Sequence, residues 1–231
     1  MTTPALSLSA YDIAQMIDVS AVRADSTDEK IRELVACAKR YHCFLVTALP
    51  SQTENAKALL GGLASPKLGG NVGFPSGGQT TRAKLQETRE LLEMGVDEID
   101  MVIDIAAHLS GRRQHVFEEI AAVVEASQGR PVKAILECFY LNDDQVRAAC
   151  DLAIKAGAAY VKTGTGWTPV GATLDNVALI KAHVGDAIKI KASGGIHDVE
   201  TLLEMYRRGA SRFGISSAST MKILQSIENQ A

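Results

Sequence analysis

Eight short apolar runs, each followed by a longer stretch with helical spacing, constrain this chain more than any other feature. The runs are "MID" (16–18), "FLVT" (44–47), "LGGNVGFP" (68–75), "EIDMVI" (98–103), "VKAILECF" (132–139), "AYVKTG" (159–164), "AIKIKASGG" (187–195) and "RFGISS" (212–217). Helical stretches lie between them, among them 80–95, 112–127, 143–157 and 198–210, and three of these four run into Gly95, Gly157 and Gly209. A glycine in that place closes a helix in the left-handed conformation. Repeated strand–helix units predict a parallel sheet, because parallel strands need a long crossover and a helix supplies it. Eight units in 231 residues predict one (β/α)8 barrel over residues 1–231, with a short N-terminal helix. A doubly wound open sheet is the alternative, but no G-x-G-x-x-G follows an early strand.

With 46% hydrophobic and 22% charged residues the chain can bury a full core, which excludes fibrous and disordered readings. Its 24 Lys+Arg and 27 Asp+Glu are interspersed and leave a net charge of -3, so nucleic acid is not an expected partner. Cys37, Cys43, Cys138 and Cys150 form no C-x-x-C pair, and a chain of this size needs no disulfide staples. They read as reduced thiols. The N-terminal segment lacks the basic flank and apolar stretch of a signal peptide, and no run approaches the roughly 18 apolar residues of a membrane span. A soluble cytoplasmic protein without a membrane partner is therefore expected.

Active sites of such barrels lie at the C-terminal ends of the strands. The strand ends here carry Asp18, Thr47, Phe74, Asp100, Glu137, Lys162, Lys191 and the turn from Gly214 to Ser217. Lys162 and Lys191 end consecutive, otherwise apolar strands, which makes them predicted neighbours in the lumen. A lone strand-end lysine reads as solvated; two adjacent ammonium groups each disfavour the other's charged form. A lysine titrates near ~10.4, and a depression of about three units leaves a sizeable neutral, nucleophilic fraction at neutral pH. That is one route to a Schiff-base lysine. Lys162, in the tighter glycine-flanked turn, is the candidate nucleophile and Lys191 the perturbing cation. Asp100 alternates with Ile99 and Met101, faces inward, and is the candidate proton relay; a purely structural salt bridge would need the same geometry. Asp18 and Glu137 follow as groups that hydrogen-bond a substrate hydroxyl or hold a lysine, with Thr47 and Thr163 as further substrate-binding candidates.

The last two strands carry a second signal. "ASGGIHD" (192–198) and "FGISSAS" (213–219) are small-residue turns that open onto helices, where backbone N–H groups converge on an anion. Gly194, Gly195, Gly214, Ser216 and Ser217 are the phosphate-binding candidates, with Gly166 completing the cup from the sixth strand. Tight packing of helix on strand also demands glycine, and that plainer reading stands beside the functional one. Trp167, next to the cup, is expected either to cover the mouth or to pack against a helix.

The segments "EIDMVI", "VKTGTG", "GATLDNVALIK", "IKASGGIHDVETL" and "RFGISSA", in this order and spacing, resemble the deoxyribose-phosphate aldolases from about residue 13 to about residue 220. The resemblance implies a class I aldolase, a lyase with no cofactor and no metal. It would reversibly cleave 2-deoxy-D-ribose 5-phosphate to acetaldehyde and D-glyceraldehyde 3-phosphate in deoxyribonucleotide catabolism. It also implies imine formation on Lys162, a lowered pKa caused by Lys191 and proton relay through Asp100. The chain departs from the family pattern at Gly164, where serine is usual, and at His197, where a basic residue often follows the double glycine. Thr47 and Leu49 stand in "TALP" where many members read "CVNP", and "IDVSAVRA" replaces "IDHTLLKP", keeping Asp18 and a hydroxyl at Ser20. These departures bear on the acceptor pocket and leave the imine machinery intact.

His42, His108, His115 and His183 lack metal-ligand spacing and read as surface or packing residues, whereas His197 adjoins the proposed anion site. Two other readings stay open: a sibling Schiff-base aldolase or decarboxylase acting on another sugar phosphate, and a barrel that binds a phosphorylated ligand without turnover. The expected partner is a small sugar phosphate. Assembly into a homodimer or higher homo-oligomer is left open by the sequence.

Overall fold

The computed structural model describes residues 8–228. Eight parallel strands close into a barrel in chain order: β1 Ile17–Ala21, β2 Leu45–Ala48, β3 Lys67–Val72, β4 Glu98–Val102, β5 Val132–Ile135, β6 Tyr160–Lys162, β7 Lys189–Ser193 and β8 Arg212–Ser216. Closure is made by β1 against β8, in the register Asp18 to Gly214 and Ser20 to Ser216. Helix α1 (Ala10–Ala14) precedes the barrel, started by a capping box between Ser9 and Asp12. The outer ring consists of α2 (Asp28–Arg40), α3 (Thr53–Leu60), α4 (Thr81–Met94), α5 (Ile105–Leu109), α6 (Arg113–Ala126), α7 (Asp143–Lys155), α8 (Leu174–Val184), α9 (Val199–Arg207) and α10 (Ser217–Glu228). Side-chain oxygens of Thr27, Thr80, Asn142, Thr173 and Asp198 cap α2, α4, α7, α8 and α9, and Gly95 ends α4 in the left-handed region.

The strand alternation sorts side chains onto two surfaces. Ile99 and Met101, flanking Asp100, join Val19, Val46, Val161, Ile190, Phe213 and Ile215 in an apolar core shared with Leu34, Leu91, Ile120, Val146, Ile180, Leu202 and Ile223 of the helices. Burial of each such side chain stabilises by about 1.5–3 kcal/mol. Inward positions carry the charges. The main apolar core thus lies between strands and helices, and most of the buried charges are gathered in the lumen.

All eight strands differ in extent from the sequence reading, β2, β4 and β8 by a single residue at an end, and three of the differences have a plain cause or consequence. β1 begins one residue later than 16 and continues to Ala21. β3 stops at Val72 rather than 75, because Gly73 turns left-handed with φ +65°. β5 stops at Ile135 rather than 139, since Glu137 takes φ 54° and Cys138–Tyr140 form one turn of 3-10 helix. Asp18, Asp100 and Lys191 stand within β1, β4 and β7, one layer deeper than the strand ends. All four cysteines are buried and free. No helix of the described residues is long and apolar enough to cross a membrane, and of the "QSIENQA" tail, 225–228 form the last turn of α10 while 229–231 lie outside the described residues.

Candidate active site

Three carboxylates and four cations fill the lumen: Asp18, Glu98 and Asp100 against Lys133, Lys162, Lys191 and Arg212, all buried. Lys133 Nζ lies 2.7 Å from Glu98 Oε2, 2.7 Å from Asp100 Oδ1 and 3.6 Å from Asp18 Oδ2. Arg212 donates to Asp18 Oδ1 at 2.8 Å, and its guanidinium lies 3.6 Å from the centroid of the Phe44 ring. Lys191 Nζ donates to Asp18 Oδ2 at 2.5 Å and to Asp100 Oδ2 at 2.8 Å. Lys162, the last residue of β6, has one hydrogen-bond partner among the described residues, Asp100 Oδ2 at 2.8 Å.

This inventory decides which group gives up a proton. With every group ionised the lumen holds one cation more than it has carboxylates, and buried charge without a partner is costly. Lys133 is surrounded by carboxylates, so although burial pulls its pKa down, Asp100, Asp18 and Glu98 drive it above the ordinary lysine value. Lys162 goes the other way. Burial is the largest influence on it and the Lys191 charge adds to burial; Asp100 opposes both, and the net result is a pKa lowered to about 8. The perturbing cation expected from the sequence is thus present but acts second to desolvation. Asp100 is pushed up by burial, yet the three surrounding lysines hold it well below the usual carboxylate range. It is an anion shared between ammonium groups.

Beside the cluster a cleft of about 380 Å³ opens at the C-terminal rim. Gly166, Gly194, Gly195, Gly214, Ser216 and Ser217 all line it, together with Ser20, Thr165 and His197. The turns after β6 and β7 approach so closely that a Cβ at Gly194 would stand 3.0 Å from Gly171 Cα and 3.2 Å from Gly166 Cα, and Gly194 itself has φ +87°. Both conditions select glycine there. Ser217 begins α10, whose N-terminal amides carry the positive end of the helix dipole to the cleft.

Other candidates take different places. Asp18 lies fully buried under Lys191 and Arg212. Thr47 accepts from Asn71 Nδ2 at 2.8 Å, and Thr163 accepts from Ser193 N at 3.0 Å and donates to Ser193 O at 3.4 Å. Both threonines are buried ties between strands and line neither of the clefts at the mouth. Glu137 holds no lysine; it accepts from Thr165 N at 3.1 Å and from Thr165 Oγ1, fixing the turn after β6. Trp167 packs edge-on to Phe74, with ring centroids 6.2 Å apart, and lines a second cleft. That cleft, more apolar and of about 430 Å³, is lined by Ile105, Leu109, Tyr140 and Trp167 and shares Thr165 with the first.

Sequence reasoning missed Lys133, Glu98 and Arg212. The signal was available: Glu98 and Lys133 hold inward alternate positions of "EIDMVI" and "VKAILECF", and Arg212 opens "RFGISS". None stands at a C-terminal strand end, which was the filter applied.

A closed parallel eight-stranded barrel with a buried cluster of lysines and carboxylates in its lumen and a glycine-lined cleft at its C-terminal rim has the architecture of a (β/α)8-barrel enzyme. The family model described as DeoC/LacD family aldolase matches residues 10–220. Deoxyribose-phosphate aldolases from Klebsiella pneumoniae (41% identical over 94% of this chain and 88% of the relative) and Sinorhizobium medicae (42% over 96% and 90%) are similar in sequence. The deoxyribose phosphate aldolase of Aeropyrum pernix, whose structure is described as tetrameric, superposes with a TM-score of 0.87 at 30% identity, covering 96% of this chain and 94% of that one. The chain belongs to the DeoC/LacD aldolase family and is an aldolase, a lyase.

Proposed function

We propose that this enzyme reversibly cleaves 2-deoxy-D-ribose 5-phosphate to acetaldehyde and D-glyceraldehyde 3-phosphate through an imine on Lys162. The observation that carries the reading is the lone, shared carboxylate partner of Lys162, whose pKa of about 8 leaves a usable fraction of free amine near neutrality.

In this reading the neutral Lys162 amine adds to the open-chain C1 carbonyl, and the carbinolamine loses water to give an iminium. The C3 hydroxyl gives up its proton, the C2–C3 bond breaks, and its electron pair flows to the iminium nitrogen as an enamine while C3 leaves as the aldehyde of glyceraldehyde 3-phosphate. Protonation of the enamine at C2 and addition of water then release acetaldehyde and the amine. Asp100 Oδ2, 2.8 Å from both Nζ atoms, is the bridge along which a proton passes between Lys162 and Lys191. Gly166, Gly194, Gly195, Gly214, Ser216 and Ser217 bind the phosphate through amides and hydroxyls. The whole chain acts as one catalytic unit in the cytoplasm and, on the precedent of the tetrameric Aeropyrum relative, as a homo-oligomer.

The test is borohydride reduction in the presence of acetaldehyde, followed by intact mass and peptide mapping, with cleavage of deoxyribose 5-phosphate assayed against a panel of sugar phosphates. One reduced ethyl adduct on the peptide containing Lys162, with preferred cleavage of deoxyribose 5-phosphate, is the expected outcome. An unlabelled protein favours a non-catalytic binder, and labelling with another preferred substrate favours a sibling aldolase.

A further inference from the structure

We propose that Arg23 and Trp167 form a clasp across the mouth in which Arg23 supplies the cationic contact to the substrate phosphate, making the enzyme selective for phosphorylated over unphosphorylated aldols. The proposal rests on the aldolase reading above and adds to it a residue that determines specificity.

The clasp is reciprocal. Arg23, in the loop after β1, donates from Nη1 to the carbonyl of Gly166 at 3.4 Å; Trp167, in the loop after β6, donates from Nε1 to the carbonyl of Val22 at 2.7 Å. Each side chain therefore bonds the backbone immediately preceding the other. Between them the guanidinium lies 4.6 Å from the centroid of the Trp167 ring, a cation–π contact. Phe74 packs edge-on to the indole.

Charge bookkeeping in the cleft singles out Arg23. Amides and hydroxyls alone leave a phosphate dianion without a counter-charge, and the side chains on the cleft wall that can carry one are Arg23, Lys30 and His197. Lys30 is neutralised by Asp25 Oδ2 at 2.7 Å, and Glu33 adds a negative charge to the same wall. His197 Nδ1 is 3.1 Å from Ser219 Oγ, which leaves it a single ring nitrogen to offer rather than a fork of donors. Arg23 is exposed, makes no ion pair among the described residues, and spends one of its five N–H donors on protein. The remaining donors form the planar fork that matches phosphate oxygens. Seated on Gly166, one of the cup's own residues, the guanidinium is pre-positioned beside the anion, so little side-chain freedom is lost when phosphate arrives.

The experiment compares the wild type with Arg23→Leu, Arg23→Lys and Trp167→Phe. It measures kcat and KM on 2-deoxyribose 5-phosphate and on unphosphorylated 2-deoxyribose, and the affinity for inorganic phosphate by calorimetry. In Arg23→Leu the ratio of kcat/KM between the two sugars should fall about ten- to a hundredfold, mainly through KM, and phosphate affinity should fall in step. Arg23→Lys should recover part of both, and Trp167→Phe, which keeps a ring but loses the bond to Val22, should lower the ratio by a smaller factor. An unchanged ratio in an active enzyme, or equal losses on both sugars, overturns the clasp. Weakened phosphate binding in Arg23→Leu together with a wild type that cleaves neither sugar keeps the clasp and overturns the substrate reading instead.

Discussion

Lys162 and Lys191 donate to the same atom, Oδ2 of Asp100, each from 2.8 Å. Lys191 has a second carboxylate in Asp18 and Lys162 has no second one among the described residues, so the shared oxygen leaves Lys162 as the least compensated of the described cations in the lumen. Its pKa of about 8 means that about one-tenth of the amine is neutral at pH 7 and most of it by pH 9.

The pH dependence of imine formation follows from this. The rate of adduct formation with acetaldehyde should climb through about pH 8 as the ammonium loses its proton. Lys191→Leu removes a neighbouring positive charge and leaves Oδ2 of Asp100 to Lys162, Lys133 staying on Oδ1; both effects favour the ammonium, so the limb should move upward by roughly one unit or more. Stopped-flow or borohydride trapping across pH 6–10 measures it, and an unmoved limb counts against the coupling.

Asp100→Asn separates proton relay from electrostatics. The carboxylate raises the Lys162 pKa, so its loss should shift the same limb toward lower pH while kcat drops by about 10²–10⁴, the range of a lost acid–base group. A limb that moves upward, or a kcat that stays near wild type, contradicts the assignment.

Lys133 is structural in this scheme, with carboxylates at 2.7 Å from both Glu98 and Asp100. Lys133→Met takes the cation from Asp100 Oδ1 and leaves Glu98 with Arg212 at 3.4 Å, and should lower unfolding stability by about 3–5 kcal/mol, read from denaturant titration at neutral pH. A loss below about 1 kcal/mol would mean that water reaches the cluster.

Gly164 is held to glycine by its neighbour rather than by its backbone angles. A Cβ there would lie 2.5 Å from Glu137 Oε1, so Gly164→Ser should destabilise by about 1–3 kcal/mol and disturb the turn that carries Thr165 and Gly166. Shortening the carboxylate in a Gly164→Ser/Glu137→Asp double variant should recover part of the melting temperature; a double variant no better than the single refutes the contact.

The barrel was legible from the alternation of runs because a parallel strand and its crossover helix have different periods, and eight repeats leave few other ways to bury the apolar faces. The inward face of Asp100 was legible too, from Ile99 and Met101 on either side. Strand ends were less so. Glu137 stops β5 through a left-handed backbone that nothing in "ILECF" announces, and the filter on strand ends passed over Lys133 and Arg212 one layer down.

By itself, then, the sequence determined the strand count, the parallel order and the two lysines on neighbouring strands, since those depend on local periodicity and on position along the chain. The sequence also put Lys162 forward as the nucleophile, but only the tertiary structure supplies the burial and the surrounding charges that lower its proton affinity. Barrel closure brings Asp18 from β1 against Lys191 from β7, and Glu98 and Asp100 from β4 against Lys133 from β5; proton affinity in a buried site depends on distances to all of these charges at once. The same closure lays the loop after β1 on the loop after β6, 143 residues apart between Arg23 and Gly166, which no local pattern encodes.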